Sequence, residues 1–205
     1  MKKTISILGA GGSVGRQALD VARSRGYVVD FLCANRNAED MESFAREFKP
    51  LRVAMADEIA ARDLKCRLAD TDISVLAGEE GICEGIALSK RETAVNAILG
   101  EAGLKPSLAT IRSGKRLALA NKESLVIAGD IVMTEAKRCG VEILPVDSEH
   151  SAIFQSLKSG RREEIKKIIL TASGGPFYGK TKEELDAAYT DYVFTVTPGD
   201  FEITP

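Results

Sequence analysis

The chain has 205 residues, 44% of them hydrophobic and 28% charged, with a formal net charge of −2. This is the composition of a globular protein with core enough to fold without disulfides. The near-neutral, interspersed charge excludes a basic nucleic-acid binder or an anionic membrane as main partner. No apolar run approaches the roughly 18 residues of a membrane helix. The opening "MKKTISILGAGG" turns glycine-rich too soon for a signal peptide, so a cytoplasmic location is expected. The four cysteines are scattered without a C-x-x-C pair, and His150 is the single histidine. That argues against structural zinc and for thiols acting as small buried hydrophobes in a reducing compartment.

Short apolar runs alternate with amphipathic stretches along the chain. "TISIL" (4–8) reads as a strand, and 14–25 as a helix with Val14, Ala18, Leu19, Val21 and Ala22 on its apolar face. "YVVDFLCA" (27–34) is a second strand. Residues 38–48 form a helix, with Met41, Phe44, Ala45 and Phe48 at helical spacing and Pro50 beyond. "LRVAM", "DISVLAG" and "AVNAIL" read as strands. A helix at about 104–113, a strand at 116–120, a helix at about 122–138 and a strand at 141–145 follow. This alternation predicts an α/β fold, a Rossmann-like parallel sheet with helices on both faces. After Pro145 the pattern changes to a short helix (about 150–158), a charged loop, a strand at 165–172 and a helix near 181–188. The expected division is a dinucleotide-binding domain over 1–146 and the start of an incomplete α/β catalytic domain over 147–205.

"LGAGGSVGR" (8–16) joins the first strand to the first helix. Gly9, Gly12 and Gly15 are three apart, with Gly11 as an extra. Glycines at that junction let the backbone turn sharply and approach a pyrophosphate, with helix N-terminal amides facing the anion. An NAD site usually carries an acid at the end of the second strand. Here stand Asn35, Arg36 and Asn37, while Asp30 lies early in the strand. Arg36 can meet a 2′-phosphate, so NADP is favoured over NAD.

Further polar segments follow predicted strands, where ligands of an open parallel sheet collect. In "NKES", Asn121 occupies a helix N-cap position, with Lys122 and Glu123 in the first turn. In "PVDSEH", Asp147 and Glu149 are two apart. An extended backbone turns both to one side, as a hard divalent cation requires, whereas a helix would read as an ordinary acidic start. "SGGP" offers Ser173 and successive amides suited to a phosphate.

Together, "GAGGSVG", "AILGEAGLKPSLATIRSGKRLALANKESLV", "LPVDSEHSAIFQSL" and "LTASGGPF" resemble the 1-deoxy-D-xylulose 5-phosphate reductoisomerase family over residues 1 to about 180. The resemblance implies an NADPH-dependent oxidoreductase and isomerase of the non-mevalonate isoprenoid pathway. Such an enzyme rearranges and reduces its phosphosugar to 2-C-methyl-D-erythritol 4-phosphate with Mg2+ or Mn2+. It implies that Gly11, Gly12, Ser13 and Val14 line the NADPH phosphates, Asn35, Arg36 and Asn37 hold the adenosine end, and Asn121 and Glu123 also contact NADPH. Lys122, Ser148, Glu149 and Ser173 would contact substrate, Ser173 through its phosphate. Asp147 and Glu149 would bind the metal, and Lys122, Asp147 and Glu149 would be catalytic. His150 falls to a supporting role. Family members are homodimers, and the state of this chain is left open.

Two departures from the family pattern stand out. Gly11 replaces a usual threonine, which predicts modestly weaker NADPH binding. The family's later His-Pro-Asn-Trp and Asn-Lys-Gly-Leu-Glu segments and its helical C-terminal domain have no counterpart in the 205 residues. The expectation is a chain that binds NADPH and turns over poorly. A non-catalytic NADP(H)-binding module is the alternative.

Overall fold

A computed structural model describes residues 3–89, 93–165, 167, 168 and 181. The chain divides into two compact units, Met1–Asp147 and Ser148–Pro205. The expected strand at 165–172 and helix near 181–188 lie outside the described residues, apart from 165, 167, 168 and 181.

The first unit is a parallel sheet of seven strands: β1 (Thr4–Leu8), β2 (Val28–Ala34), β3 (Arg52–Met55), β4 (Ser74–Ala77), β5 (Thr93–Asn96), β6 (Arg116–Leu119) and β7 (Ile143–Pro145). Their order is β4-β3-β2-β1-β5-β6-β7. The chain winds outward from β1 to β4, then crosses to β5 and winds the other way. The reversal between β1 and β5 opens a crevice at the carboxyl ends of the strands. The intervening helices are α1 (Ser13–Arg25), α2 (Ala38–Phe48), α3 (Glu58–Arg67), α4 (Gly78–Leu88), α5 (Leu104–Arg112) and α6 (Glu123–Cys139).

Burial on both faces explains the apolar strands. Ile7 packs with Leu19 and Met41 of α1 and α2, while its neighbour Leu8 packs with Ile82 and Ile86 of α4. Beyond β5 a third cluster joins Ile111 of α5, Leu117 and Leu119 of β6, and Val132 and Ala136 of α6. Asp30 is skipped in the β1–β2 pairing, where Ile5 faces Val29 and Ser6 faces Phe31. This one-residue bulge lets Val29 and Phe31 serve opposite faces of the sheet. Asp30 is buried, and its charge acts on buried Lys115, whose pKa burial pushes down.

Two helices were absent from the sequence reading, α3 and α4. Asp57 starts α3 by accepting from the Ile59 and Ala60 amides, both at 2.9 Å. Helix α4 carries Gly78, Gly81 and Gly85, which weaken its helical signature. Packing explains Gly85: a Cβ there would lie 2.2 Å from the buried Phe31 ring. The expectation for the cysteines holds at Cys33, which is buried with its thiol pushed up to about 12, but Cys66 is exposed.

In the second unit, α7 (Ser148–Leu157) begins directly after Asp147. The extended geometry expected across Asp147–Glu149 is therefore corrected, since Glu149 lies in the first turn of a helix. Proline disfavours helix in the residue before it, not three residues after, and Ser148 and Glu149 suit a helix start.

Gly85→Ala separates helix propensity from packing. Alanine gains about 1 kcal/mol in a helix, but overpacking the buried ring costs about 1–3 kcal/mol. Urea unfolding is expected to show a net loss of up to about 2 kcal/mol.

Candidate functional site

The loop after β1 docks on the end of β2, with the Gly9 and Ala10 amides donating to the Cys33 carbonyl at 3.0 and 2.8 Å. Gly9 has a left-handed φ of +83°, and a Cβ on it would stand 2.7 Å from the Ala97 backbone. A Cβ on Gly15 would lie 2.1 Å from the Gly9 carbonyl oxygen. These two glycines let α1, the loop and the β5 end meet at van der Waals contact. Gly11 and Gly12 are not crowded in this way: a Cβ would meet Ala34 at 3.9 Å from Gly11 and the Gly9 carbonyl at 3.5 Å from Gly12, both ordinary contacts. Gly12 caps α1 without a side-chain bond, and the first turn holds no acid. The first-turn amides at Ser13 and Val14 thus have no side-chain cap and no neighbouring acid, an arrangement suited to an anion.

Asn35, Arg36 and Asn37 stand at the adjoining end of β2 and are exposed. Asn37 caps α2, accepting from the Asp40 amide at 3.0 Å. Arg36 places Nε 3.4 Å from Asp57 Oδ2, and the Asp57 amide donates to the Asn35 carbonyl at 3.1 Å. The Ala60 amide, with those of Ile59 and the Arg36 charge behind it, holds the Asp57 carboxyl below its ordinary value.

On the other side of the crevice, the loop 97–103 is held from beneath by two buried amides. Asn96 donates to the Gly103 carbonyl at 2.9 Å and Ser107 Oγ at 2.8 Å, and accepts from the Ile98 amide at 3.1 Å. Asn121 donates to the carbonyls of Ile98 and Gly100 at 2.7 and 2.9 Å, with Glu123 Oε2 at 3.1 Å sharing a proton. Asn121 Oδ1 accepts from the amide and hydroxyl of Ser124; the N-cap of α6 is Lys122, one residue later than expected, so Asn121 ties down the first turn from just outside the helix. Sequence reading missed Asn96. The signal was there, a lone amide within the apolar run "AVNAIL".

β7 pairs with β6, and the Val146 amide donates to the Leu119 carbonyl at 2.9 Å, so Asp147 emerges beside Lys122. Lys122 Nζ lies 2.8 Å from Asp147 Oδ2, with the lysine exposed and the aspartate nearly covered. In the second unit, Ser148 Oγ donates to Glu149 Oε2 at 2.7 Å. Among the described residues no group of three or more His, Cys, Asp and Glu side chains could hold a metal ion. Ser173 lies outside the described residues. No helix among them is long and apolar enough to cross a membrane.

A family model described as 1-deoxy-D-xylulose 5-phosphate reductoisomerase matches residues 5–129, and that of the same enzyme's C-terminal domain matches 143–195. The chain belongs to the 1-deoxy-D-xylulose 5-phosphate reductoisomerase family. The second match carries the family resemblance past residue 180. The reductoisomerase of Acetivibrio thermocellus is 55% identical over 185 residues, covering 90% of this chain and 49% of that protein. The chain thus spans about half the length of the curated relatives it matches. The solved reductoisomerase of Zymomonas mobilis in complex with NADPH is 41% identical with a TM-score of 0.81, over 90% of this chain and 49% of that one. A DOX-P reductoisomerase in complex with NADPH, fosmidomycin and magnesium is 39% identical with a TM-score of 0.72, over 75% and 38%. These likenesses agree with the parallel sheet found here.

Asn121→Ala leaves the Ile98 and Gly100 carbonyls and the Ser124 amide without their partner. Stranding one buried and two part-buried polar groups in this way is expected to cost about 2–3 kcal/mol, read as a lower urea midpoint with an unchanged slope.

Proposed function

We propose that the chain binds NADPH along the carboxyl ends of β1, β2, β5 and β6. We further propose that it serves the conversion of 1-deoxy-D-xylulose 5-phosphate to 2-C-methyl-D-erythritol 4-phosphate with Mg2+ or Mn2+. The observation that carries the reading is the start of α1 without a side-chain cap, where Gly11 and Gly12 would take a Cβ without a clash, beside a β2 end that carries Arg36. The amides of Ser13 and Val14 would take the pyrophosphate, and Asn35, Arg36 and Asn37 the adenosine end with its 2′-phosphate. Arg36 suits a 2′-phosphate better than a bare ribose, which favours NADPH over NADH. NADPH supplies the hydride for the reduction. Asn121 and Glu123 would contact NADPH as well, Asn121 while holding Ile98 and Gly100 in place.

Asp147 and Glu149 would hold the metal; with α7 starting at Ser148 this rests on the family resemblance and on their hard oxygen donors, which fit Mg2+ or Mn2+, and not on an extended backbone. Two carboxylates leave coordination positions to water and substrate oxygens, as Mg2+ prefers. Lys122 would orient a substrate oxygen from its place beside Asp147, its ion-pair partner. Ser148 and Glu149 would bond substrate hydroxyls, and Ser173 would take its phosphate. A reduced, cytoplasmic setting suits the exposed Cys66 thiol.

Titration calorimetry of the 205-residue chain is expected to show NADPH binding at least tenfold tighter than NADH. NADPH oxidation that needs both substrate and metal supports the full reading and reveals whether turnover is weak. NADPH binding without such oxidation favours the non-catalytic module. No NADPH binding overturns the reading.

Gly11→Thr tests the family departure directly. A Cβ at Gly11 would meet only Ala34 at 3.9 Å, an ordinary contact. A hydroxyl toward the cofactor phosphate is expected to tighten NADPH binding by about 2–5-fold, one hydrogen bond's worth. Equal affinities would sink the idea.

A further inference from the structure

Arg16 lies in the first turns of α1, just past the glycine loop, and was not singled out by the sequence. Its Nε donates to the Gly11 carbonyl at 3.2 Å. Its Nη2 donates to Asp40 Oδ2, 24 residues away in α2. That same carboxylate oxygen accepts from Asn37 Nδ2 at 2.7 Å, and the Asp40 amide donates to Asn37 Oδ1 at 3.0 Å. The guanidinium also rests over the Phe44 ring, 5.3 Å from its centroid, which sets its plane against α2. One planar fork therefore bridges the carbonyl of Gly11 and, through Asp40, the side chain of Asn37.

We propose that Arg16 and Asp40 are positioning residues for the cofactor, a clamp that holds the glycine loop and the Asn35–Asn37 loop in one relative arrangement. The inference rests on the NADPH reading above. Neither residue needs to touch the cofactor. The two loops would meet opposite ends of the same molecule, the pyrophosphate and the adenosine. Ordering them beforehand removes part of the entropy lost on binding. The pair is half exposed, with side chains 49% and 34% accessible, so it adds little to global stability. Its effect is local, on two segments that the sheet brings to neighbouring strand ends.

The test uses the full chain with Arg16→Met, Asp40→Asn and both together. Methionine keeps an apolar contact on Phe44 and removes the fork. Each single variant is expected to weaken NADPH binding by about 3–10-fold, the cost of re-ordering one or two side chains. The double variant is expected to be no weaker than the weaker single, because both break one bridge. Without cofactor, amide exchange is expected to quicken in both 11–14 and 37–40 in either variant, with the thermal midpoint unchanged. A merely structural contact would move only the segment bearing the substitution. Unchanged affinity in the single variants, multiplicative losses in the double, or exchange confined to one segment each overturn the clamp. If wild-type protein binds no NADPH, both readings fall. If wild type binds and the variants match it, this one alone falls.

Discussion

The fold turns on one close approach, where the backbone leaving β1 meets the backbone leaving β5. Gly9 takes a left-handed turn with no room for a side chain against Ala97, and Gly15 packs its Cα onto the Gly9 carbonyl. Two glycines at van der Waals contact bring the start of α1 down onto the strand ends. The sheet order reverses at that point, so the loops on either side diverge and leave a crevice. The first turn of α1 carries no side-chain cap there, because Gly12 offers none. Any substitution that pushed this junction apart would move the helix terminus and the crevice together.

The far wall depends on a different device. The loop 97–103 has few apolar anchors of its own, and Leu99 at its tip is exposed. Asn96 and Asn121 hold it from below by bonding its backbone at Ile98, Gly100 and Gly103. A buried amide is tolerated only when its hydrogen bonds are made, and here both are bonded on donor and acceptor sides. The wall is therefore built before any ligand arrives. The near wall is tied by exposed charge, through Arg16 with Asp40 and Arg36 with Asp57, and is the softer of the two.

Much of the first unit was legible because its signals are local. Strands β1, β2 and β6 and helices α1, α2, α5 and α6 stand within one or two residues of where their periodicity placed them. The misses have physical causes. Helix α3 is rich in alanine and charge, so its apolar face is thin, and its clearest mark is the Asp57 cap. Helix α4 hides behind glycines that answer to Phe31, a residue 54 positions earlier by number. The run "AVNAIL" was read as strand to its end, yet β5 stops at Asn96. There the side chain turns to bond the next loop in place of continuing the ladder.

By itself the sequence determined the α/β class, the glycine loop and the cationic end of β2. Each depends on spacing within a few residues, the period of a strand or helix and the sterics of a missing Cβ. It also carried the family, since its long motifs are contiguous. Tertiary structure decided the rest. It turned Asn121 inward as a support for a loop some 20 residues earlier, set Lys122 against Asp147, and joined Arg16 to Asp40. It also started a helix at Ser148 where an extended pair of carboxylates had been expected. These partners are separated along the chain by 21, 25 and 24 residues, about one β-α-β winding. Only the parallel pairing of successive strands brings positions one winding apart to the same edge of the sheet, and no local pattern in the sequence records which side chains will meet there.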